Sequence, residues 1–211
     1  PTPKLERWKY TNLIPLFKNA DLKFAKSDVS IDGHTDYVRP LMEHIEEGVE
    51  YVREMALAPV PGDEKEADMM LWHAVNAFFR DGLTLDIPAG AVPEKPLEIT
   101  IAGHNGAYFV PRTFFRAAEG SNFTVIEYHT GQGTYWNNRV TQIHVQKDAM
   151  LRHIRFQDNA PDSLYTQNTH VQVEEGASYQ LEATGKYAGI LYPSALQVTY
   201  EKEQPTFHEV T

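Results

Sequence analysis

Four segments of the chain align on a single turn residue: LTLDIPAGAVP (83–93), TFFRAAEGSNF (113–123), VTQIHVQKDAML (140–151) and THVQVEEGASY (169–179). The turn residues are Gly90, Gly120, Asp148 and Gly176, spaced 30, 28 and 28 residues apart. Five places before the turn stand Leu85, Phe115, Ile143 and Val171, and three before it Ile87, Ala117, Val145 and Val173. One place after it stand Ala91, Ser121, Ala149 and Ala177, and three after it Pro93, Phe123, Leu151 and Tyr179. Residues two apart on a strand share a face. Each copy therefore reads as strand, tight turn, strand, with Gly or Asp where the turn needs positive φ. One copy cannot bury its apolar face alone, whereas stacked copies can. The repeat predicts a β-solenoid from residue 82 onward, with Leu85, Phe115, Ile143 and Val171 in one interior column. The competing architecture is an antiparallel sandwich or barrel. A weaker fifth copy, LQVTYEKEQPTF (196–207), places Glu203 near the turn position.

The first 81 residues read differently. Val38, Leu41, Met42, Ile45, Val49, Val52 and Met55 recur in steps of three and four, which predicts a helix over 36–57 with His44 off its apolar stripe. Ala58-Pro-Val-Pro-Gly62 breaks the pattern. Asp63 is an N-cap with Glu66 as its capping-box partner, opening a second helix over about 64–80. Residues 19–35 are polar without clear period and read as a loop. The domain division expected is 1–81, helical, and 82–211, β-solenoid.

Composition narrows the chemistry. The 211 residues carry 19 basic and 29 acidic side chains, a net charge of −10. Nucleic-acid binding draws its affinity from neutralised phosphates, and anionic membranes attract basic segments, so neither partner is expected. No apolar run is long enough to span a bilayer, and no signal peptide is visible in the first ten residues. There is no cysteine. This excludes disulfides, a Cys nucleophile, thiolate zinc and a cluster held by this chain's own thiolates. A reducing cytoplasm suits such a chain.

Nine histidines invite a metal reading. His129, His144, His153 and His170 fall on or beside strands. His144 sits at an outward position. His153 shares the column of Val125 and Leu181 and should point inward, so the two diverge. No H-x-H or H-E-x-x-H occurs, and a cupin-type metal barrel would need clustered histidines with a nearby Glu. His73 reads as a packed helix residue. No metal, cofactor or catalytic residue is assigned. Carboxylates raise the possibility of a carbohydrate-active β-helix enzyme, which needs two acids about 5–9 Å apart across a groove. Asp158 with Asp162, and Asp81 with Asp86, are the candidates, and Arg152 and Arg155 would be the lyase-type bases. Gly131-Gln-Gly133 and Asn105-Gly106 are turns, and no phosphate-loop or nucleophile-elbow motif is present.

Two stretches carry a family resemblance. Pro3, Glu6, Trp8, Lys9, Tyr10, Thr11 and Leu13 in PKLERWKYTNL (3–13) resemble the opening motif of the SufD branch of the SufB/SufD family. NAFFRDGLTLDIPAG (76–90) is similar to that family's junction motif, and VIEYHTG (125–131) and VQKDAMLRHIRFQ (145–157) to its repeating core. The resemblance implies a helical N-terminal domain followed by a right-handed parallel β-helix. It also implies a non-catalytic scaffold for iron–sulfur cluster assembly, working with SufB and the SufC ATPase and able to form a homodimer alone. Family members continue through further β-helix turns into a SufC-contacting helical segment, so the chain is expected to be part of a longer protein. Residues 186–211 match poorly. Trp8 and Tyr10 would pin the N-terminal arm to the helical unit or form a docking patch.

Overall fold

The computed structural model describes residues 21–57, 70–185, 190–191, 195–200 and 206–210. Trp8, Tyr10, the opening motif, the Asp63 cap and Glu203 lie outside them. In chain order come β1 (Lys23–Phe24), β2 (Asp28–Asp32), a 3-10 turn (Thr35–Tyr37) and β3 (Val38–Pro40). Next are α1 (Leu41–Glu46), α2 (Glu50–Leu57) and α3 (Met70–Phe78). The strands β4 (Leu83–Ile87), β5 (Leu97–Gly103), β6 (Ala107–Phe109), β7 (Arg112–Ala117), β8 (Asn122–Gly131) and β9 (Trp136–Val145) follow. The last are β10 (Met150–Asp158), β11 (Leu164–Val173), β12 (Ser178–Gly185), β13 (Ile190–Leu191), β14 (Ala195–Tyr200) and β15 (Thr206–Val210).

Among the described strands β4 to β15 every pairing with one another is parallel, giving a β-solenoid of about four turns. One wall stacks β4, β7, β9, β11 and β14, and the other stacks β5, β8, β10, β12 and β15. The expected column is present: Leu85 pairs with Phe115, Phe115 with Ile143 and Ile143 with Val171. All four are buried. The second column, Ile87, Ala117, Val145 and Val173, is stacked in the same way. Phe123, Leu151 and Tyr179 face them from the other wall.

The corners are built as the repeat requires. Gly90, Gly120, Asp148 and Gly176 have φ of 68°, 67°, 57° and 71°. Their backbones are tied from coil to coil, with Gly90 N donating to Glu119 O, Gly120 N to Lys147 O and Asp148 N to Glu175 O at 2.9–3.1 Å. Asp occupies the left-handed position because its short side chain tolerates it better than a branched one does. Pro93 does not join the Phe123 column. Leu97 pairs with Val125, which sets Pro93 level with Ser121, because the first corner contains two more residues than the later ones. The fifth copy is real at the backbone level: Val171 pairs with Val198 and Tyr179 with Phe207.

The region before residue 82 departs from expectation. Residues 28–32 form a strand, not a loop: Val29 and Ile31 alternate with Asp28, Ser30 and Asp32, and β2 pairs antiparallel with β5. The single helix expected over 36–57 is divided. Pro40 disfavours helical geometry at Arg39, and 38–40 pairs with β4 as β3. Gly48, at φ 69°, then ends α1, with Gly48 N bonding Ile45 O and Val49 N bonding His44 O. His44 is buried, with Nδ1 2.7 Å from Thr84 Oγ1. His73, expected to be packed, is exposed.

The helices lie on the outer face of the solenoid wall. Tyr51, Val52 and Met55 of α2 pack with Leu41 on Phe114. Gln142 Nε2 donates to Met55 O at 2.6 Å, and Arg112 donates to Ala56 O, so two carbonyls in the last turn of α2 are satisfied by outward side chains of β9 and β7. Val75 of α3 packs on Val110 and Val140. The junction Asp81-Gly82 is fixed sterically. A Cβ at Gly82, whose φ is 146°, would sit 1.7 Å from Arg112 O.

Four substitutions test this architecture in denaturant melts. Leu151→Ala removes a fully buried side chain from the core cluster and is expected to cost about 2–5 kcal/mol. Arg152→Ala, its half-exposed neighbour bound to Glu182, should cost about 1 kcal/mol or less. Equal effects would contradict the facing of β10. Gly82→Ala should destabilise more than Gly120→Ala, since a Cβ at Gly120 meets open space and one at Gly82 meets backbone.

Candidate functional site

Alternation along the strands carries polar side chains into the solenoid as well as apolar ones. Continuing inward from Val125 on β8 gives Glu127 and His129, and continuing back from Ile143 on β9 gives Thr141 and Arg139. With His153 and Arg155 of β10 and Tyr165, Gln167 and Thr169 of β11, these fill the half of the interior remote from the corners. All are buried.

Glu127 is the hub. His153 Nε2 donates to its Oε2 at 3.0 Å, and His129 Nε2 donates to the same oxygen at 3.4 Å. Arg139 donates to its Oε1 at 3.4 Å. The Tyr179 hydroxyl lies 3.0 Å from His153 Nδ1, and an Arg139 N–H lies 3.2 Å from His129 Nδ1. His129, next to the Arg139 guanidinium, is a neutral ring that gives its Nε2–H to the carboxylate. Two equivalent bonds repeat between coils. Arg139 donates to Thr113 Oγ1 at 3.2 Å, and Gln167, in register with Arg139 one coil on, donates to Thr141 Oγ1 at 3.3 Å. Gln167 Oε1 accepts from Arg155 and from the Tyr165 hydroxyl.

The charges follow from this packing. Burial alone would raise Glu127, but the Arg139 charge and the two histidine hydrogen bonds outweigh it and hold the carboxyl well below the usual range. Burial would lower Arg139, and Glu127 reverses that. His129 is pushed down to about 4, first by burial and then by Arg139.

The sequence-based expectation that the histidines diverge holds for His144 against His153. His144 faces outward and donates to Glu174 at 2.6 Å. His129 and His153, a pair that the sequence argument does not compare, meet on one carboxylate from adjacent coils. The reason is register: β8 and β10 pair with Val125 opposite His153, so Glu127 stands one inward position further on and reaches both rings. The signal was present in the period-two alternation, which was followed to His153 but not to Glu127. Arg139, also missed, lies two inward positions before Ile143. His170 lies on the outer wall, its pKa lowered by burial.

The arrangement is a buried hydrogen-bonded network in which Arg139 compensates Glu127, while the Nε–H groups of Arg139 and Arg155 have no hydrogen-bond partner. No group of three or more His, Cys, Asp or Glu side chains among the described residues is placed to hold a metal ion. In the Glu127 cluster a guanidinium occupies one side of the carboxylate. Of the acids considered for sugar chemistry, Asp81 and Asp86 are engaged separately. Asp86 binds Arg116 through two hydrogen bonds of 2.7 and 2.8 Å, and Asp81 accepts from Ser27 N at 2.7 Å. Arg152 is tied to Glu182, and Arg155 is buried. Two cavities among the described residues, of about 200 and 270 Å³, have Asp81 and Glu54 respectively in their linings.

Comparison with known proteins places this solenoid in a family. Residues 99–204, from β5 to past β14, match the SufBD core domain of SUF-system FeS cluster assembly. The chain belongs to the SufBD core family. Protein ABCI7, chloroplastic, from Arabidopsis thaliana is 29% identical over 123 residues, covering 53% of this chain. The aligned stretch covers 26% of that protein, so the chain spans about a quarter of the length of the curated relative it matches. No solved structure matches the chain. No helix among the described residues is long and apolar enough to cross a membrane.

Two outcomes are expected of the buried network. Glu127→Gln strands Arg139 and should cost about 3–5 kcal/mol, whereas Glu182→Gln at the surface should cost about 1 kcal/mol or less. The depressed His129 binds its proton later in the folded than in the unfolded chain. Stability is therefore full above about pH 6.5 and falls as pH drops toward 4, by on the order of 3 kcal/mol for this group. Glu127 adds a further loss below the ordinary carboxylate range, as its folded pKa is also depressed. Urea midpoints against pH should show this slope for the wild type, and a shallower one between pH 6.5 and 4 for His129→Gln.

Proposed function

We propose that this SufBD-family chain is a non-catalytic, cytoplasmic scaffold subunit of the SUF assembly machinery, of SufD type, working with SufB- and SufC-like partners. The observation that carries the reading is the coincidence of the family match with the solenoid itself: residues 99–204 contain four of the five strands of each wall, apart from β4 and β15.

The strand edges support a scaffold role. At the first coil each edge is covered: β3 lies on β4, β2 on β5 and β1 on β6. At the other side β13, β14 and β15 are the outermost described strands. Parallel edges of this kind are completed by further coils or by a neighbouring subunit. The net charge of −10 is compatible with such a contact, because pairing along a strand edge is made by backbone groups. The buried Glu127 network fits a structural element better than a catalytic one, since Glu127, His153, His129 and Arg139 bind one another.

Sedimentation of the full-length protein, alone and with SufB- and SufC-like proteins from the same cell, tests the proposal. A homodimer alone that exchanges into a heteromeric complex is expected. A stable monomer that ignores both partners at micromolar concentration would remove the functional reading and leave the fold intact. Cysteine is absent from the sequence, so the pure chain is expected to hold no stable cluster of its own. Anaerobic reconstitution with iron and sulfide, then visible spectroscopy and iron analysis after desalting, checks this. Stoichiometric iron retained by the chain alone would contradict it.

A further inference from the structure

The two outer walls of the solenoid are covered differently. Outward-facing Phe114 and Val140 on the wall of β4, β7 and β9 are fully buried, because α2 lies over the first and α3 over the second. The described helices pack on that wall and on β3, not on β8 or β10. Yet β8 and β10 also carry apolar groups outward. Coil-to-coil pairing sets Ile126 level with Ile154 and Tyr128 level with Phe156. The two rings stack, with centroids 5.2 Å apart and planes 11° from parallel. Phe156 is 38% exposed, and the other three side chains are half-buried. Acids frame this block. The row through the isoleucines reads Asp32, Glu98, Ile126, Ile154 and Glu182 across five paired strands. Asp158 takes the next outward position after Phe156 on β10. Arg152, the base beside the block, is bound to Glu182 by hydrogen bonds of 3.0 and 2.7 Å. Four carboxylates against one guanidinium leave the frame negative.

The opposite wall shows what covers outward apolar groups on this solenoid: a helix laid on the sheet. Helix residues four apart are about 6 Å from each other along the axis, close to the ~6.8 Å between alternate residues of a strand. One apolar stripe of a helix therefore spans Ile126 with Tyr128, or Ile154 with Phe156. Helices that dock in this way use anchors at i, i+3, i+4 and i+7. The acidic frame sets the sign of the residues beside the stripe. Lys or Arg there would meet Asp32 and Glu98 on one side and Glu182 on the other, a complementarity that selects partners. The same frame repels anionic lipid and nucleic acid. We propose that the outer face of β8 and β10 is a docking site for a basic amphipathic helix of a partner protein. Ile126, Ile154, Tyr128 and Phe156 receive its apolar stripe, and the acids receive its flanking cations. The site is distinct from the strand edges of β14 and β15. A contact on the sheet face leaves the backbone pairing between coils intact, so helix docking here and strand addition there are compatible.

Fluorescence anisotropy with the full-length protein and defined labelled peptides tests the site. The probe is a peptide of about 18 residues, long enough for several helical turns, with leucines at helical spacing flanked by lysines. Saturable binding that weakens as salt is raised is expected. Peptides with the lysines replaced by glutamates, or the leucines by serines, should bind about tenfold more weakly or worse. Phe156→Ser and Glu98→Lys should each weaken the leucine–lysine peptide by about fivefold or more, with thermal melts confirming that both variants are folded. Phe78→Ser, which removes an exposed aromatic ring from α3, should leave binding unchanged. Absence of saturable binding at submillimolar peptide would overturn the proposal. So would equal binding of the glutamate peptide, or a folded Phe156→Ser protein that binds the leucine–lysine peptide unchanged. Two further outcomes would overturn it by giving the face another occupant. One is wild-type binding to phosphatidylserine–phosphatidylcholine vesicles that Phe156→Ser abolishes. The other is a homodimer of the pure protein that Phe156→Ser dissociates in sedimentation.

Discussion

Parallel, in-register pairing between coils is the constraint on which the molecule depends. Each interior residue sits on its equivalent one coil away, so a side chain chosen at one position selects its neighbours above and below. Leu85, Phe115, Ile143 and Val171 satisfy this with apolar groups. Thr113, Thr141 and Thr169 satisfy it with hydroxyls on the same strands. The positive-φ corners at Gly90, Gly120, Asp148 and Gly176 keep the register from drifting. Changes in period are confined to connections. Two extra residues lie between Ile87 and Leu97 and one between Val198 and Phe207, and the pairing resumes after each.

The interior is divided by chemistry. Near the corners it is hydrophobic, built around Leu97, Val125, Leu151 and Leu181, and this half supplies the burial that drives folding. The remote half contains Glu127, Arg139, Arg155 and two histidines. Buried charges are tolerable only when paired and hydrogen-bonded, and the bonds to Glu127 come from His129 on its own strand and from Arg139 of β9 and His153 of β10. The network therefore favours one register: a slip of one residue would turn Glu127 and Arg139 outward and bring Ile126 and Val140 in. Charge pairing at one end and apolar stacking at the other specify the same alignment.

Much of the solenoid was legible in the sequence because its period is carried by residues whose environment is uniform. A turn Gly or Asp and inward aliphatics five and three places before it leave a direct mark. The polar interior was less legible because Glu127, His129 and Arg139 look like surface residues until strand parity is continued past the apolar stretch. His153 was placed inward correctly, since Val125 and Leu181 flank it in the repeat. The N-terminal region was misread for a physical reason. The helical spacing of Val38, Leu41, Met42 and Ile45 competes with backbone effects at Pro40 and Gly48, and edge pairing to β4 settles residues 38–40 as strand. Asp28-Val-Ser-Ile-Asp32 carries a clear alternation, but it is short and acidic, and only the free edge of β5 makes it a strand.

The two sides of the solenoid differ in what they permit. The first coil is covered by three N-terminal strands, two of them antiparallel. An antiparallel strand ends the solenoid's own hydrogen-bond pattern, so a parallel coil stacked beyond β2 or β3 would meet the outer edge of a strand running the wrong way. Acidic Asp28 and Asp32 on β2 further discourage pairing there. Across the molecule β14 and β15 keep the parallel sense of the strands they pair with, and they can receive another parallel coil in the same register. Growth or partnership by strand addition is thus directional, favouring the β14 and β15 side and blocked at β2 and β3. That polarity is a consequence of where the chain places its few antiparallel strands.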